Sequence, residues 1–215
     1  MVNIYPYPYI LAALAIGCVL GYGIARYRVS SFQNRGEARV REELRSHFGT
    51  PDFHLLNHIT LKLGDGTTQI DHILVSRYGV FVIETKEYSG WIFANTKHAT
   101  WTQVLYGGKF RFQNPIFQNK RHIQAVQESL DFLPPNAIKS AVVFAGSAEF
   151  KTEIPLGVYT IAGLIEHIRS HTEELMSMNR VQFSVGRIET ARLAMSSQTD
   201  LEHVQSLERR YGKSK

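Results

Sequence analysis

The sequence predicts an α/β domain with a mixed sheet flanked by helices. Three observations predict it. Between Leu55 and Lys86 lie three runs rich in β-branched and apolar residues, separated by glycine-containing turns. Helical periodicity precedes them over Gly36–Phe48 and follows them from about Ile116 to Phe132. After a Pro134-Pro135 stop comes a short apolar run, Ala141–Ala145, which reads as a buried strand.

Each element has a local reason. In the first helix Ala38, Val40, Leu44 and Phe48 supply the apolar positions, and Gly49-Thr50-Pro51-Asp52 ends it. Strand Leu55–Leu63 turns at Gly64-Asp65-Gly66 into Thr68–Ser76, and Arg77-Tyr78-Gly79 leads into Val80–Lys86. Gly90–Phe93 and Trp101–Val104 read as shorter strands. Asn114-Pro115 opens the second helix, where proline's missing N–H costs nothing. Ile161, Leu164, Ile165 and Ile168 mark a helix over Ile161–Ser170, and two further helical stretches are expected over about Gly186–Arg210.

The chain has 215 residues, 44% of them hydrophobic and 20% charged, which suits one ordinary domain with an appendage and excludes a disordered chain. The net charge is +5, and every charged side chain lies at or after Arg26. That basic excess permits a polyanionic partner such as nucleic acid or anionic lipid. The single cysteine, Cys18, excludes an intrachain disulfide and a CxxC metal knuckle.

Tyr9–Ala25 is an uncharged run of 17 residues, about 26 Å as a helix and, with a few flanking residues, long enough to cross a hydrocarbon core of ~30 Å. Tyr5, Tyr7 and Tyr9 at one end, and Tyr22 and Tyr27 at the other, suit the two interfaces. No positive charge precedes the run and Gly23-Ile24-Ala25-Arg26 is a poor cleavage site, so an uncleaved single-pass anchor is expected rather than a signal peptide. Arg26, Arg28 and Arg35 follow it, which places the soluble part in the cytoplasm. Gly17-x-x-x-Gly21 has the spacing of a helix-pairing motif, so a homodimer is compatible; the same spacing also arises by chance in membrane helices.

The stretch that carries chemistry is Gln69-Ile70-Asp71-His72-Ile73 followed by Val80-Phe81-Val82-Ile83-Glu84-Thr85-Lys86. Alternate strand residues share a face, so Glu84 and Lys86 point the same way, and Asp71 lies on the neighbouring strand. Two carboxylates and one ammonium thus converge at the end of an apolar hairpin, where charges need partners. A divalent cation would relieve the repulsion between the carboxylates. Mg²⁺ suits such oxygen ligands, with Mn²⁺ as a substitute, and would activate a water and stabilise a phosphoryl oxygen. Lys86 would position that water or neutralise phosphate charge. The same pattern equally fits an Asp–Lys–Glu ion cluster on a surface. Lys97, Lys109, Arg111, Lys120 and Arg121 surround these residues in sequence; they read either as phosphate contacts or as a solvated face. Trp91 and Trp101 read as core or rim rather than stacking platforms, and His72, alternating away from Asp71, as packing.

Glu37, Asp71 and Glu84-Thr85-Lys86 together resemble the PD-(D/E)xK nuclease superfamily, and more specifically the nuclease-related domain called NERD. The likeness rests on Gly36-Glu37, Gln69-Ile70-Asp71-His72, Tyr78–Lys86 with Gly90 soon after, Trp101, and Asn114-Pro115-x-x-Gln118, spanning about Gly36–Gln127. It implies a restriction-endonuclease-like αβββαβ core, dependence on Mg²⁺ and hydrolysis of phosphodiester bonds in DNA. It assigns Asp71, Glu84 and Glu37 to the metal, although Glu37 also reads as a first-turn residue favoured by the helix dipole. Gln118 and His122 hold the spacing of one helical turn: Gln118 would orient the metal or Lys86, and His122 would meet a phosphate. Ile70, where the superfamily pattern has proline, is a departure. The expected organisation is an anchor over residues 1–28, a linker over 29–35, the nuclease core over 36–150 and a helical extension over 151–215. The function expected is a membrane-anchored, Mg²⁺-dependent deoxyribonuclease; the alternative is an inactive nuclease-fold adaptor that binds nucleic acid or protein at the membrane. A third reading is an anchored structural protein whose basic face meets anionic lipid.

Overall fold

A computed structural model describes residues 14–18, 21, 35–64 and 66–193. Residues 14–18 and 21 are helical, and the described part of helix α1 covers residues 35–47. Three antiparallel strands follow, β1 (Phe53–Leu63), β2 (Gly66–Ser76) and β3 (Gly79–Lys86). Next come β4 (Gly90–Phe93), β5 (Thr100–Leu105), β6 (Gly108–Gln113) and helix α2 (Pro115–Ser129). The remainder is β7 (Ile138–Phe144), β8 (Ala148–Phe150), β9 (Val158–Thr160), α3 (Ile161–Arg169) and α4 (Met178–Ala191). The α/β class expected from the sequence is the class found.

One sheet has the order β1-β2-β3-β7-β9, with β3, β7 and β9 parallel. Its middle strand explains the apolar run. Val80 and Val82 of β3 join a cluster with Ala125 and Val126 of α2 and Val181 and Ile188 of α4. Phe81 and Ile83 join another with Val40 and Leu44 of α1 and Leu164, Ile165 and Ile168 of α3. β3 is therefore covered on both faces, and each such side chain stabilises the fold by about 1.5–3 kcal/mol.

β1 and β2 share a matched irregularity. Leu56 and Ile59 pack into one cluster although three residues apart, and so do Ile70 and Ile73. Strict alternation would put each pair on opposite faces, so one alternation is missed in each strand. The break falls where the β1–β2 ladder skips the His58–Asp71 pair, with His58 at φ +53°. That strained backbone is the local condition for a charged residue inside an otherwise apolar strand.

The second sheet, β6-β5-β4-β8, grows out of the first. Parallel neighbours β3 and β7 both run on into it, as parallel neighbours β4 and β8. Ile92 and Trp101 on its inner face pack on Val142, Phe144 and Val158. The crossover is tight: a side chain on Gly146 would meet the Tyr88 carbonyl oxygen at 2.0 Å.

Three differences from the sequence reading have physical reasons. β6 alternates Lys109, Phe110, Arg111 and Phe112 between faces behind a Gly107-Gly108 turn, a strand signal hidden by its charge. β8 and β9 have three residues each, too few for periodicity to register. α4 starts at Met178, capped by Ser177, and runs through Gly186, which is tolerated inside the helix and does not open it. Among the described residues no helix is long and apolar enough to cross a membrane. Most of the anchor expected over Tyr9–Ala25 lies outside them, as does the helical stretch expected beyond Leu193.

The crossover yields the first prediction. Gly146→Ala should lower the midpoint of urea unfolding by the equivalent of about 2–3 kcal/mol, because the clash is with backbone. Gly107→Ala, with no atom within 4 Å of its new methyl group, should be near neutral and serves as the control.

Candidate active site

Glu84 and Lys86 lie near the C-terminal end of β3, on the face that carries Val80 and Val82 and is covered by α2. The last β2–β3 pair is His72 with Ile83, so Asp71 and Glu84 stand opposite each other one step beyond it. There the Thr85 N–H donates to Asp71 Oδ2 at 2.7 Å instead of to the strand ladder. Glu37 comes from α1. Gly36 makes that possible, since a side chain there would sit 2.7 Å from Glu87 Oε2 and hold the helix away. Arg39 donates to the Ala145 carbonyl at 2.6 Å and pins the same helix.

Helix α2 supplies the opposing wall. Asn114 caps it, accepting from the Ile116 N–H at 3.0 Å and donating to the His98 carbonyl at 2.8 Å. Buried Asn119 donates to the Val82 carbonyl at 3.0 Å and to Ser140 Oγ at 2.8 Å, which ties the helix to β3 and β7. With the helix fixed, Gln118 and His122 face the strand residues. Lys86 Nζ donates to Gln118 Oε1 at 3.0 Å and lies 2.6 Å from Glu84 Oε1. His122 Nε2 lies 2.8 Å from Glu84 Oε2, and its Nδ1 lies 2.7 Å from Thr68 Oγ1. An ionised carboxylate only accepts, so Nε2–H donates to Glu84; in a neutral ring the Thr68 hydroxyl donates to Nδ1.

Electrostatics divides the three carboxyls. Burial pushes Glu84 up, but the Lys86 charge and the His122 hydrogen bond outweigh it and hold Glu84 down to about 2. Burial pushes Asp71 well above the usual carboxylate range, and Glu84 and Glu37 push it further. Burial and Glu84 raise Glu37 to about 7. Burial alone would depress Lys86, yet Glu84 and Asp71 raise it and keep it charged. One carboxyl thus keeps its charge while the other two are pushed toward the neutral acid, a shift that a hard cation would reverse. Among the described residues no three His, Cys, Asp or Glu side chains form a ready metal-holding group. A zinc-type cage of protein ligands is therefore not what these residues build. Mg²⁺ commonly takes one or two carboxylates and fills the rest with waters and substrate oxygens, and the acidic set fits that demand.

The remaining expected residues are placed plainly. His122, expected at a phosphate, is buried with both ring nitrogens engaged. Lys97 is exposed in the turn between β4 and β5, and Lys109 and Arg111 are exposed on β6. Lys120 is exposed, two residues from both Gln118 and His122, and so points away from the face they share; Arg121 is half-buried. Trp101 is core at 1% exposure, whereas Trp91 is 50% exposed.

The sequence profile of NERD, the nuclease-related domain, matches residues 33–145, more than half of the chain. The chain belongs to the nuclease-related domain family. An uncharacterized protein of Bacillus anthracis is 37% identical over 106 residues, which are 48% of this chain and 50% of the relative. The chain thus spans about half the length of the curated relative it matches. No solved structure matches.

In this NERD chain the sequence reading missed two neighbours of the acidic set. His58 falls opposite Asp71 in the β1–β2 register, and its Nδ1 lies 3.4 Å from Glu37 Oε2. Arg41, one turn along α1, lowers Glu37 electrostatically. A histidine without ligand spacing in sequence gives no signal until strand register places it. Thr68, read only as the start of a strand, orients His122.

The charge division predicts a stability effect. Asp71→Asn keeps an acceptor for the Thr85 N–H and removes a buried carboxyl whose ionisation burial, Glu84 and Glu37 all oppose. Urea unfolding at neutral pH in EDTA should show the variant more stable than wild type by about 1 kcal/mol, as happens where function maintains strain. A loss of stability would mean that the ionised carboxylate is held by more than that one N–H.

Proposed function

We propose that this protein is a metal-dependent nuclease that hydrolyses phosphodiester bonds, with DNA as substrate, and that it is held at a membrane with its catalytic domain in the cytoplasm. Membership of the nuclease-related domain family supports a nuclease-related function. The observation that carries the finer reading is the convergence of Asp71, Glu84 and Lys86 at one end of β3, with Gln118 on Lys86. The element order α1-β1-β2-β3, then α2-β7 after the β4–β6 insertion, agrees with the restriction-endonuclease-like core.

Asp71 and Glu84 would hold Mg²⁺, or Mn²⁺ in its place, with Glu37 holding the ion or its waters. The chemistry such an ion supplies is a more acidic bound water and charge neutralisation at a phosphoryl oxygen. Lys86 donates to Gln118 and is ion-paired with Glu84, and with three donors it keeps capacity for a phosphate oxygen or the attacking water. Because Lys86 stays charged, it serves as a fixed positive charge and not as a base. Gln118 fixes where that charge points. His122, braced by Thr68, keeps Glu84 ionised and oriented. The anchor rests on the apolar run Tyr9–Ala25, and the orientation on Arg26, Arg28 and Arg35. One observation favours the adaptor instead: both Glu84 oxygens are already engaged by protein groups.

The test offers plasmid, linear duplex and single strands to the full-length chain with Mg²⁺, Mn²⁺ or EDTA. Cutting should require metal. Asp71→Ala and Lys86→Ala, shown to be folded, should each lose at least about 100-fold in rate, and Gln118→Ala about 10- to 100-fold. A folded wild type that cuts none of these substrates would sink the nuclease reading in favour of the adaptor.

A further inference from the structure

The outer face of the second sheet repeats one arrangement twice. Strand register puts Trp91 beside Val104 and Val104 beside Lys109; two residues along, it puts Phe93 beside Thr102 and Thr102 beside Arg111. Residues opposite each other in an antiparallel sheet share a face, so each row reads aromatic, small or branched, basic. Ile92, between the two aromatic residues, points inward and is fully buried, which fixes the orientation of both rows. Trp91 is 50% and Phe93 40% exposed. Lys109 and Arg111 are exposed on the edge strand β6 and have no carboxylate partner among the described residues.

An apolar sheet face left open commonly waits for protein or lipid, but these rings come with cations at matched positions. Along a strand the two rows lie about 7 Å apart, and across it β4 and β6 lie about 10 Å apart. The first spacing suits successive nucleotides of an extended single strand. The second suits the reach from a stacked base to its own phosphate. A duplex hides its base faces and cannot use such rings, whereas every unpaired base has a π-face to stack. Lys151 already lies 4.9 Å from the centre of the Trp91 ring and is ion-paired with Glu149, so the face carries three cations to one anion.

We propose that this face, built on Trp91, Phe93, Lys109 and Arg111, is a platform for single-stranded nucleic acid. Bases stack on the two rings, and phosphates run along β6. A base arriving on Trp91 displaces the Lys151 ammonium from the ring toward the phosphates. The platform is separate from the acidic cluster at the end of β3. The choice of nucleic acid as occupant rests on the nuclease reading of that cluster, but the platform works without turnover.

The experiment uses the full-length chain in EDTA, a fluorescein-labelled dT15 strand and a 15-base-pair duplex. Of the chain's two tryptophans Trp101 is buried, so quenching of emission reports on Trp91. Unlabelled dT15 should quench that emission, and labelled dT15 should bind at least tenfold more tightly than duplex. Trp91→Ala with Phe93→Ala should weaken dT15 binding at least tenfold, and Trp91→Phe should retain most of it. Lys109→Ala with Arg111→Ala should weaken it and flatten its salt dependence by about 1.4 in slope. All four substituted side chains are exposed, so unfolding is excluded by an unchanged urea transition. Unchanged dT15 binding in the double aromatic variant overturns the platform. So does dependence on Trp91 and Phe93 for binding phosphatidylserine vesicles but not dT15, which would make the face a lipid contact. Metal-dependent cutting without ring-dependent dT15 binding removes the platform alone, and ring-dependent binding without cutting removes the nuclease reading alone.

Discussion

Glu84 is a carboxylate at 1% exposure, and the arrangement around it follows from that fact. A charge taken out of water needs cations and donors in contact, or it reverts to the neutral acid. Lys86 reaches it from the same strand, two residues on, but the second oxygen needs a donor from elsewhere. That donor is His122, which must arrive on a helix crossing the sheet at one height and rotation. Asn119, one residue past Gln118 on that helix, sets the height by gripping the Val82 carbonyl and Ser140. Thr68 sets the ring orientation from β2. Removing one partner of such a buried pair costs about 3–5 kcal/mol, while a well-packed apolar substitute for the whole pair would often cost nothing. A cluster that stability does not require, beside two further carboxyls in conflict with it, has its explanation in function.

The position of the cluster is equally a matter of topology. In a sheet with parallel strands, side chains at their C-terminal ends face a crevice where connections diverge. β3 and β7 are the parallel neighbours at the cluster, and both leave for the second sheet beyond Lys86 and Phe144. The cluster therefore lies between the start of that sheet, α1 and α2. Gly36 and Gly146 are two of the places where backbone packs against its neighbours without room for a side chain. Shifting either would move the walls and leave the floor of the site in place.

Much of this was legible in sequence because the signals were local. Strand alternation put Glu84 and Lys86 on one face, and an i, i+4 spacing put Gln118 and His122 on another; the structure brings the two faces together. What could not be read was geometry that depends on two strands at once. The matched loss of alternation at His58 and Asp71 leaves each strand's pattern ambiguous alone, and only register makes His58 a neighbour of Glu37. The role of His122 could not be read either, since a histidine spaced for phosphate contact looks the same as one spaced to hold a carboxylate. The outer face of the second sheet was hidden for a third reason. Lys109 and Arg111 lower the apolar count of β6, so a strand whose charges all point one way reads as a loop.

If the chain acts on a polyanion as proposed, these placements separate two tasks. At the reacting phosphate, charge must be dense and fixed, and burial helps because it strengthens each interaction. Burial also keeps that point small: Lys86 is the cation beside the carboxyls, with Arg41 acting from a turn away. It cannot also supply the many exposed contacts by which a protein holds a nucleic acid, each weak and each opposed by salt. Binding energy gathered at a distance is what positions a substrate's reacting group. A second sheet that inherits its first strand from β3 is well placed to gather it, because β3 and β4 are parts of one chain path separated by three residues. The rigid link between the strand that holds Glu84 and Lys86 and the strand that holds Trp91 and Phe93 is the feature that would let binding at one govern geometry at the other.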